Sequence, residues 1–135
     1  MVKIPTQKVF RFAHASIVTK VDQIRQCGRS YEDAKPFLFE MYEILLDYIN
    51  LQTAPVFQQL EKQNSGNREN LKILEFLAHD ITELRIEVLE FYERFSHPDS
   101  LLRMRAFAME FLQFSNRVLE RLELEEEHFL PLLPG

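Results

Sequence analysis

Residues 36–60 read PFLFEMYEILLDYINLQTAPVFQQL, and this stretch decides the fold class. At 100° per residue, one side of the predicted helix carries residues that project within roughly 80° of one another: Glu40, Glu43, Asp47, Asn50 and Ala54. A mostly apolar stripe lies nearly opposite and contains Leu38, Met41, Leu45, Tyr48 and Gln52. We expect the apolar stripe to be buried and the first set, named here the acid strip, to face outward.

Apolar residues lie beside the acid strip and bear on its role. Phe39, Ile44, Leu46 and Leu51 offer more apolar area than a single core contact needs. A carboxylate row flanked by such side chains is typical of a docking surface with a charged centre and apolar surroundings. The stretch therefore predicts a protein that binds another protein.

Composition narrows the class of protein and its partners. The 135 residues fit a single domain, 1–135, and the one cysteine, Cys27, allows no internal disulfide. The formal net charge of -5 disfavours direct nucleic-acid binding, which needs concentrated Lys and Arg. No segment has the ~18 apolar residues of a membrane span, and residues 1–7 contain no signal-peptide apolar run. We expect a cytoplasmic protein with a basic protein partner and no membrane association.

Helical periodicity runs through the whole chain. The first apolar series, 10–24, stops at Gly28, and Ser30 with Asp33 offers a capped start for the second helix, with Pro36 in its opening turn. Pro55 lies inside that second helix, which should kink or break near Thr53. The third series covers 73–95 and is closed by a turn over 96–100, and the fourth covers 101–129. Four long helices with short connections predict an all-α, antiparallel, up-down four-helix bundle.

Two polar positions interrupt the apolar stripes. His14 shares the apolar face of the first helix, and Glu125 or Glu126 interrupts the stripe of the fourth. Polar groups that point into a bundle core can be metal ligands, and the chain resembles the hemerythrin-like proteins in this respect. That family draws His and carboxylate ligands from all four helices.

The ligand pattern of that family is incomplete here. Its second and fourth helices should each present His-x-x-x-Glu, but the aligned pairs in this chain are Tyr48 with Gln52 and Arg121 with Glu125. We therefore predict no metal and no cofactor, and a polar core network instead, in which Tyr48 or a carboxylate satisfies His14. Since no catalytic arrangement of nucleophile and base is recognisable, we also predict that the protein is not an enzyme.

Three short sequence segments resemble motifs of a second family, the Rsd/AlgQ regulators. Arg-Phe-Ala-His at 11–14 is similar to that family's Arg-Trp-Leu-His, and Leu-Leu-Asp-Tyr-Ile at 45–49 is similar to its Leu-Val-Asp-Tyr-Val/Leu. Residues 119–126, Leu-Glu-Arg-Leu-Glu-Leu-Glu-Glu, resemble its Leu-x-x-Arg-Phe-x-Leu-Glu-Asp. Order and spacing agree as well, so the likeness covers nearly the whole chain.

This resemblance implies a function. Members of that family are bacterial anti-sigma factors, helical bundles without metal that bind the housekeeping sigma factor of RNA polymerase. The resemblance assigns Asp47 to the surface that grips the DNA-recognition region of sigma, a basic helix-turn-helix module, with Asn50 and Ala54 one and two turns further on. Combined with the acid strip and its apolar neighbours, the resemblance leads us to expect an acidic and apolar partner surface made of Asp47, Glu43, Glu40, Asn50, Ala54, Ile44, Leu51 and Phe57.

The chain departs from the family after the Asp-Tyr pair. The family continues with Ser-Ala-Gly-His-Phe, where this chain has Asn-Leu-Gln-Thr-Ala-Pro at 50–55. Ala54 replaces an aromatic contact, and Phe57, one turn further on, is the candidate replacement. Two alternatives stay open: a hemerythrin-like metal- or oxygen-binding protein with a degenerate site, and a bundle of the same descent with a different partner, such as a metabolic or stress enzyme.

Overall fold

The computed structural model describes residues 2–96 and 101–135. In chain order the elements are α1 (Gln7–Gln26), α2 (Tyr31–Asn50), α3 (Ala54–Gln63), α4 (Arg68–Ser96), α5 (Leu101–Leu124), a π-helical turn (Glu125–Phe129) and a 3-10 turn (Leu130–Leu132). No β-strand occurs in these two ranges, and the predicted all-helical class is confirmed. The part of the predicted turn at 97–100 lies outside the described residues.

Side-chain caps and a glycine set the connection between α1 and α2. Gly28 takes a φ of 60° just after α1, a conformation that favours glycine because it has no Cβ. The Ser30 hydroxyl then accepts a hydrogen bond from the backbone N–H of Asp33 at 3.2 Å and caps the start of α2. Pro36 is the sixth residue of α2. It therefore lies beyond the opening turn of the helix, in which we expected it from the sequence.

Residues 36–60 belong to two helices. Helix α2 ends at Asn50 and α3 begins at Ala54, with residues 51–53 between them. Pro55 lies in the first turn of α3, where its missing N–H would have no intrahelical acceptor. The N–H groups of Leu51 and Gln52 donate to the carbonyls of Tyr48 and Ile49 and so complete the end of α2.

Apolar residues at three- and four-residue spacing form one hydrophobic core. Helix α1 packs against α2 and α5, α2 also packs against α4 and α5, α4 packs against α5, and α3 packs against α4. Two tyrosines tie α2 to α4: the hydroxyl of Tyr31 donates to the carbonyl of Phe95, and that of Tyr92 donates to the carbonyl of Leu38. The start of α2 thus lies at the end of α4. None of the helices in the described residues is long and apolar enough to cross a bilayer.

Candidate functional site

The acidic residues of the acid strip all lie on the outer surface of α2. Glu40, Glu43 and Asp47 are exposed, because Met41, Leu45 and Tyr48 turn the opposite face of the helix into the core. Asn50 ends α2 and Ala54 starts α3, and both are exposed. All five residues are therefore exposed, four of them on α2 and Ala54 at the start of α3.

The polar residues of the acid strip differ in whether they already form a hydrogen bond or an ion pair within the protein. Glu40 forms an ion pair with Lys20 of α1, and the side-chain oxygen of Asn50 accepts a hydrogen bond from Arg85 of α4. Glu43 and Asp47 make no hydrogen bond or ion pair with any residue in the described ranges. Two adjacent carboxylates, one helical turn apart, are thus available to an external cation.

An exposed aromatic ring of α1 shares a pocket with Ile44, the residue that follows Glu43 in α2. Phe12 is 76% exposed, the largest exposure among the large hydrophobic residues of the described ranges. It lines a pocket of about 290 Å³ together with Ala15, Ser16, Thr19, Lys20 and Ile44. Sequence reasoning used Phe12 only as part of a family motif and missed its place on this surface. An aromatic ring on the polar face of an amphipathic helix was the available signal.

Three further residues assigned to the partner surface have different environments. Ile44 and Leu51 are half-buried and pack against the core with part of their surface outward. Phe57 is only 3% exposed and stacks on Phe129, with ring centroids 5.4 Å apart. The assignment of Phe57 to the partner surface does not agree with this structure, because α3 turns that ring into the core.

A polar network fills the core on the other side of α2. The His14 ring lies between two carboxylates: Nε2 is 2.7 Å from Glu125 and Nδ1 is 2.8 Å from Glu126. Since a carboxylate only accepts hydrogen bonds, both ring nitrogens donate, and we infer that His14 is the imidazolium in this arrangement. Glu125 is fully buried, whereas the side chain of Glu126 is about half exposed.

The π-helical turn explains how two consecutive residues reach one ring. In an α-helix, adjacent side chains point about 100° apart, which separates two neighbouring glutamates around the helix axis. The wider turn over Glu125–Phe129 rotates less per residue and brings both carboxylates to the imidazole. Reasoning from the α-helical period left open which glutamate turns inward, and the structure uses both.

Glu125 accepts from two further buried donors. The Tyr48 hydroxyl donates to it at 2.5 Å, and Nε of Arg121 donates to the same oxygen at 2.6 Å. Arg121 is completely buried, and its remaining donors reach the carbonyl of Leu77, the carboxylate of Asp80 and the amide oxygen of Gln52. The network therefore joins α1, α2, α4, α5 and the loop before α3.

Sequence reasoning placed Gln52 in the buried stripe of the second helix but included neither Gln52 nor Arg121 in the predicted polar network. Their spacing from Glu125 and Tyr48, four residues in each case, placed each of them on the same helix face as a predicted core residue. That spacing was the signal that could have identified them as members of the network. Asp80, three residues after buried Leu77 on α4, had a weaker signal of the same kind.

The network shifts the pKa values of its members. Burial alone would lower the pKa of His14, but hydrogen bonds and charges from Glu125 and Glu126 outweigh it and raise the pKa above 6.5. Burial, with the nearby Glu125 charge, raises the pKa of Tyr48 well above its usual value. Burial would likewise lower the pKa of Arg121, but Glu125 and Asp80 raise it. Arg121 therefore carries its charge in the core.

The residues of the network do not fit a di-iron centre. His14 is its single imidazole, and one oxygen of Glu125 already accepts from both Tyr48 and Arg121. The guanidinium of Arg121 thus provides the positive charge on the carboxylate that would otherwise bind a cation. Across the described residues, no group of three or more His, Cys, Asp or Glu side chains is placed to hold a metal ion.

No protein-family model, no curated protein and no solved structure matches this chain.

Proposed function

We propose that the protein is an anti-sigma-type regulator that binds the DNA-recognition region of the bacterial housekeeping sigma factor. The observation that carries the proposal is the pair of exposed carboxylates, Glu43 and Asp47, which have no partner within the described residues. The motif resemblance at 11–14, 45–49 and 119–126 supplies the partner. In this proposal the protein is not an enzyme, acts in the cytoplasm and does not contact nucleic acid itself.

We also propose that the helices form an antiparallel, up-down bundle, which would hold the acid strip on a rigid surface. Contacts between opposite helix ends support this arrangement. Tyr31 at the start of α2 contacts Phe95 at the end of α4, and Lys20 in the second half of α1 contacts Glu40 in the first half of α2. The buried network around Glu125 would fix the inner face of α2, so that its outer face needs little reorganisation on binding.

Charge and shape give the surface a preference for a basic, partly apolar partner. Glu43 and Asp47 supply uncompensated negative charge, while Phe12, Phe39 and Ile44 supply apolar area around it. Apolar neighbours exclude water from a charge pair formed at the centre, and this strengthens the pair. A DNA-binding helix that presents arginines beside apolar side chains has the complementary chemistry.

The mechanism that follows is steric and electrostatic. Asp47 pairs with a sigma arginine that otherwise contacts promoter DNA or core polymerase, and Glu43 and Glu40 steer the approach. Sigma bound in this way cannot use the same arginine on DNA. Asn50 and Ala54 extend the contact to the start of α3.

The test is a binding titration of the C-terminal region of sigma against wild type and Asp47→Ala. If Asp47 makes a desolvated pair, the variant should lose about 2 kcal/mol or more, roughly 30-fold in Kd. Glu75→Ala, which removes an exposed acid from α4, is the matched control and should bind like wild type. No binding by wild type refutes the function, and equal affinities of wild type and Asp47→Ala refute the role of Asp47.

A further inference from the structure

A cavity lies between the turn after α1 and the first half of α5. It encloses about 650 Å³ and is lined by Arg29, Arg105, Ala108, Met109 and Leu112. A second pocket of about 290 Å³ shares Arg29, Ala108 and Leu112 with it, so the two form one continuous depression. We name this feature the basic groove, defined by those five residues of the larger cavity.

The basic groove has an apolar floor and a positively charged rim. Met109 is 63% exposed and Leu112 is 45% exposed, both on the same face of α5. Arg29 and Arg105 are exposed and make no ion pair with the described residues. Both arginines line the same cavity, so this part of the surface is positively charged although the formal charge of the chain is -5. Their complement is a helix face that presents acids beside apolar side chains.

The acid strip of the chain itself is such a face. On α2, Glu43 and Asp47 are unpaired within the described residues and lie one turn apart, with Phe39 exposed beside them. A helix face can lie in a groove between two helices, with its apolar side chains on the floor and its acids at the rim. We propose that the basic groove binds the acid strip of a second copy of this chain.

The symmetry of this contact determines which assemblies can form. Groove and strip are different surfaces, so a single such contact between two copies leaves one free groove and one free strip on the pair. Assembly can therefore continue by addition of further copies. The like net charge of the copies opposes association, so the contact is weak and the average mass rises with concentration.

Self-association of this kind regulates the proposed function. A strip that lies in a neighbouring groove is not available to sigma, so sigma and the second copy compete for Glu43 and Asp47. This consequence rests on the proposed function, whereas the self-association itself does not. Concentrated protein should bind sigma with a lower apparent affinity than dilute protein.

Two complementary variants test the contact. The first, Arg29→Glu with Arg105→Glu, disables the groove, and the second, Glu43→Lys with Asp47→Lys, disables the strip. Each variant alone should stay monomeric at concentrations where the wild type associates. In a mixture, the first variant contributes an intact strip and the second an intact groove. The two should therefore form a dimer that cannot add further copies. Light scattering after gel filtration should then give twice the 16.1 kDa of one chain.

A control variant with unchanged charge separates the specific contact from general electrostatic attraction between the two variants. Met109→Ser, added to the strip-disabled variant, keeps its charge but removes part of the apolar floor, and the mixture should then lose most of its dimer. Circular dichroism of each variant checks that it is folded. Wild type that stays monomeric at high concentration, a mixture without dimer, or a dimer that Met109→Ser leaves unchanged overturns the proposal. A dimer with no sigma binding by dilute wild type refutes the proposed function and leaves the self-association standing.

Discussion

Glu125 is the residue on which most of the polar core depends. It accepts hydrogen bonds from His14 of α1, Tyr48 of α2 and Arg121 of α5, and all four side chains are buried. Loss of its charge would leave the cations of His14 and Arg121 inside the protein with one fewer counter-ion. Removal of one partner from a buried pair is costly because the other charge remains uncompensated.

We predict that Glu125→Gln lowers the free energy of unfolding by about 3 to 5 kcal/mol, measured by urea denaturation. Glu127→Gln is the matched control, since Glu127 is two residues away and exposed, and it should change the value by less than about 0.5 kcal/mol. Similar losses in both variants would show that the network does not stabilise the fold.

His14 makes stability depend on pH in a defined direction. Its pKa in the folded protein is raised above 6.5, so protonated His14 stabilises the fold. This stabilisation is fully present below about pH 6.5 and is lost as the pH rises through the folded-state pKa. The free energy of unfolding of wild type minus that of His14→Gln should therefore be constant below about pH 6.5 and fall as the pH rises above it. A difference that stays constant or grows with pH contradicts the inferred imidazolium.

The matched control for that experiment is His79→Gln. His79 lies on the outer face of α4, where its side chain is 75% exposed beside Glu83. Its replacement should change the free energy of unfolding by less than about 0.5 kcal/mol throughout the same pH range.

Only some members of the polar core network could be predicted from the sequence. A histidine on an apolar helix face requires a partner, so a network of His14, Tyr48 and a glutamate could be predicted. The choice between Glu125 and Glu126 could not, because it depends on a π-helical turn that the α-helical period does not represent. The burial of Arg121 depends on partners from α4 and the loop before α3, which no local pattern contains.

The interruption between α2 and α3 explains the error at Phe57. The placement of Phe57 one turn beyond Ala54 on the partner surface requires that one helical phase continues from Asp47 through Ala54. Residues 51–53 leave the helix, and α3 begins with a new phase that turns Phe57 towards Phe129. A proline in the sequence indicates where a helix is interrupted, but the rotation after it is set by tertiary packing.

The start of α3 offers a prediction about helix capping. Thr53 is the N-cap residue, with φ of -82° and ψ of 160°, but its side chain makes no capping hydrogen bond. Thr53→Asp places a carboxylate beside the free N–H groups and the positive end of the helix dipole. We expect a gain of about 0.5 to 1 kcal/mol in the free energy of unfolding, seen as a higher urea midpoint.

Gln58→Asp is the control for this cap. It adds the same charge to an exposed position of α3 beyond the first turn, where no free N–H group needs an acceptor. It should give no gain. Equal stabilisation by both substitutions would attribute the effect to net charge rather than to the cap.

At the scale of the whole molecule, charge is unevenly distributed. The chain has 21 acidic and 16 basic residues, but the charged groups without a partner among the described residues lie on different elements: Glu43 and Asp47 on α2, Arg29 in the turn after α1, and Arg105 on α5. Composition predicted the sign of the net charge and a basic partner. It could not predict the basic groove, because Arg29 and Arg105 are 76 positions apart in the sequence and become neighbours only when α1 packs on α5.

If the acid strip steers a basic sigma module, the association rate should depend on ionic strength more than the dissociation rate does. Long-range attraction acts before contact and is screened by salt, whereas a pair that is desolvated in the complex is screened much less. We expect the association rate constant of wild type to fall on the order of tenfold between ~0.01 M and ~0.15 M salt, measured by stopped-flow fluorescence.

The position of an acidic residue, and not only the net charge, should control how strongly the association rate constant depends on salt. Glu43→Ala and Glu75→Ala each change the formal charge from -5 to -4, by removal of one acid, but only Glu43 lies in the acid strip. Because the potential at the encounter surface is dominated by nearby charges, Glu43→Ala should flatten the salt dependence of the association rate more than Glu75→Ala. Equal slopes for the two variants would mean that the net charge of the molecule attracts sigma and that the acid strip is not where sigma first arrives.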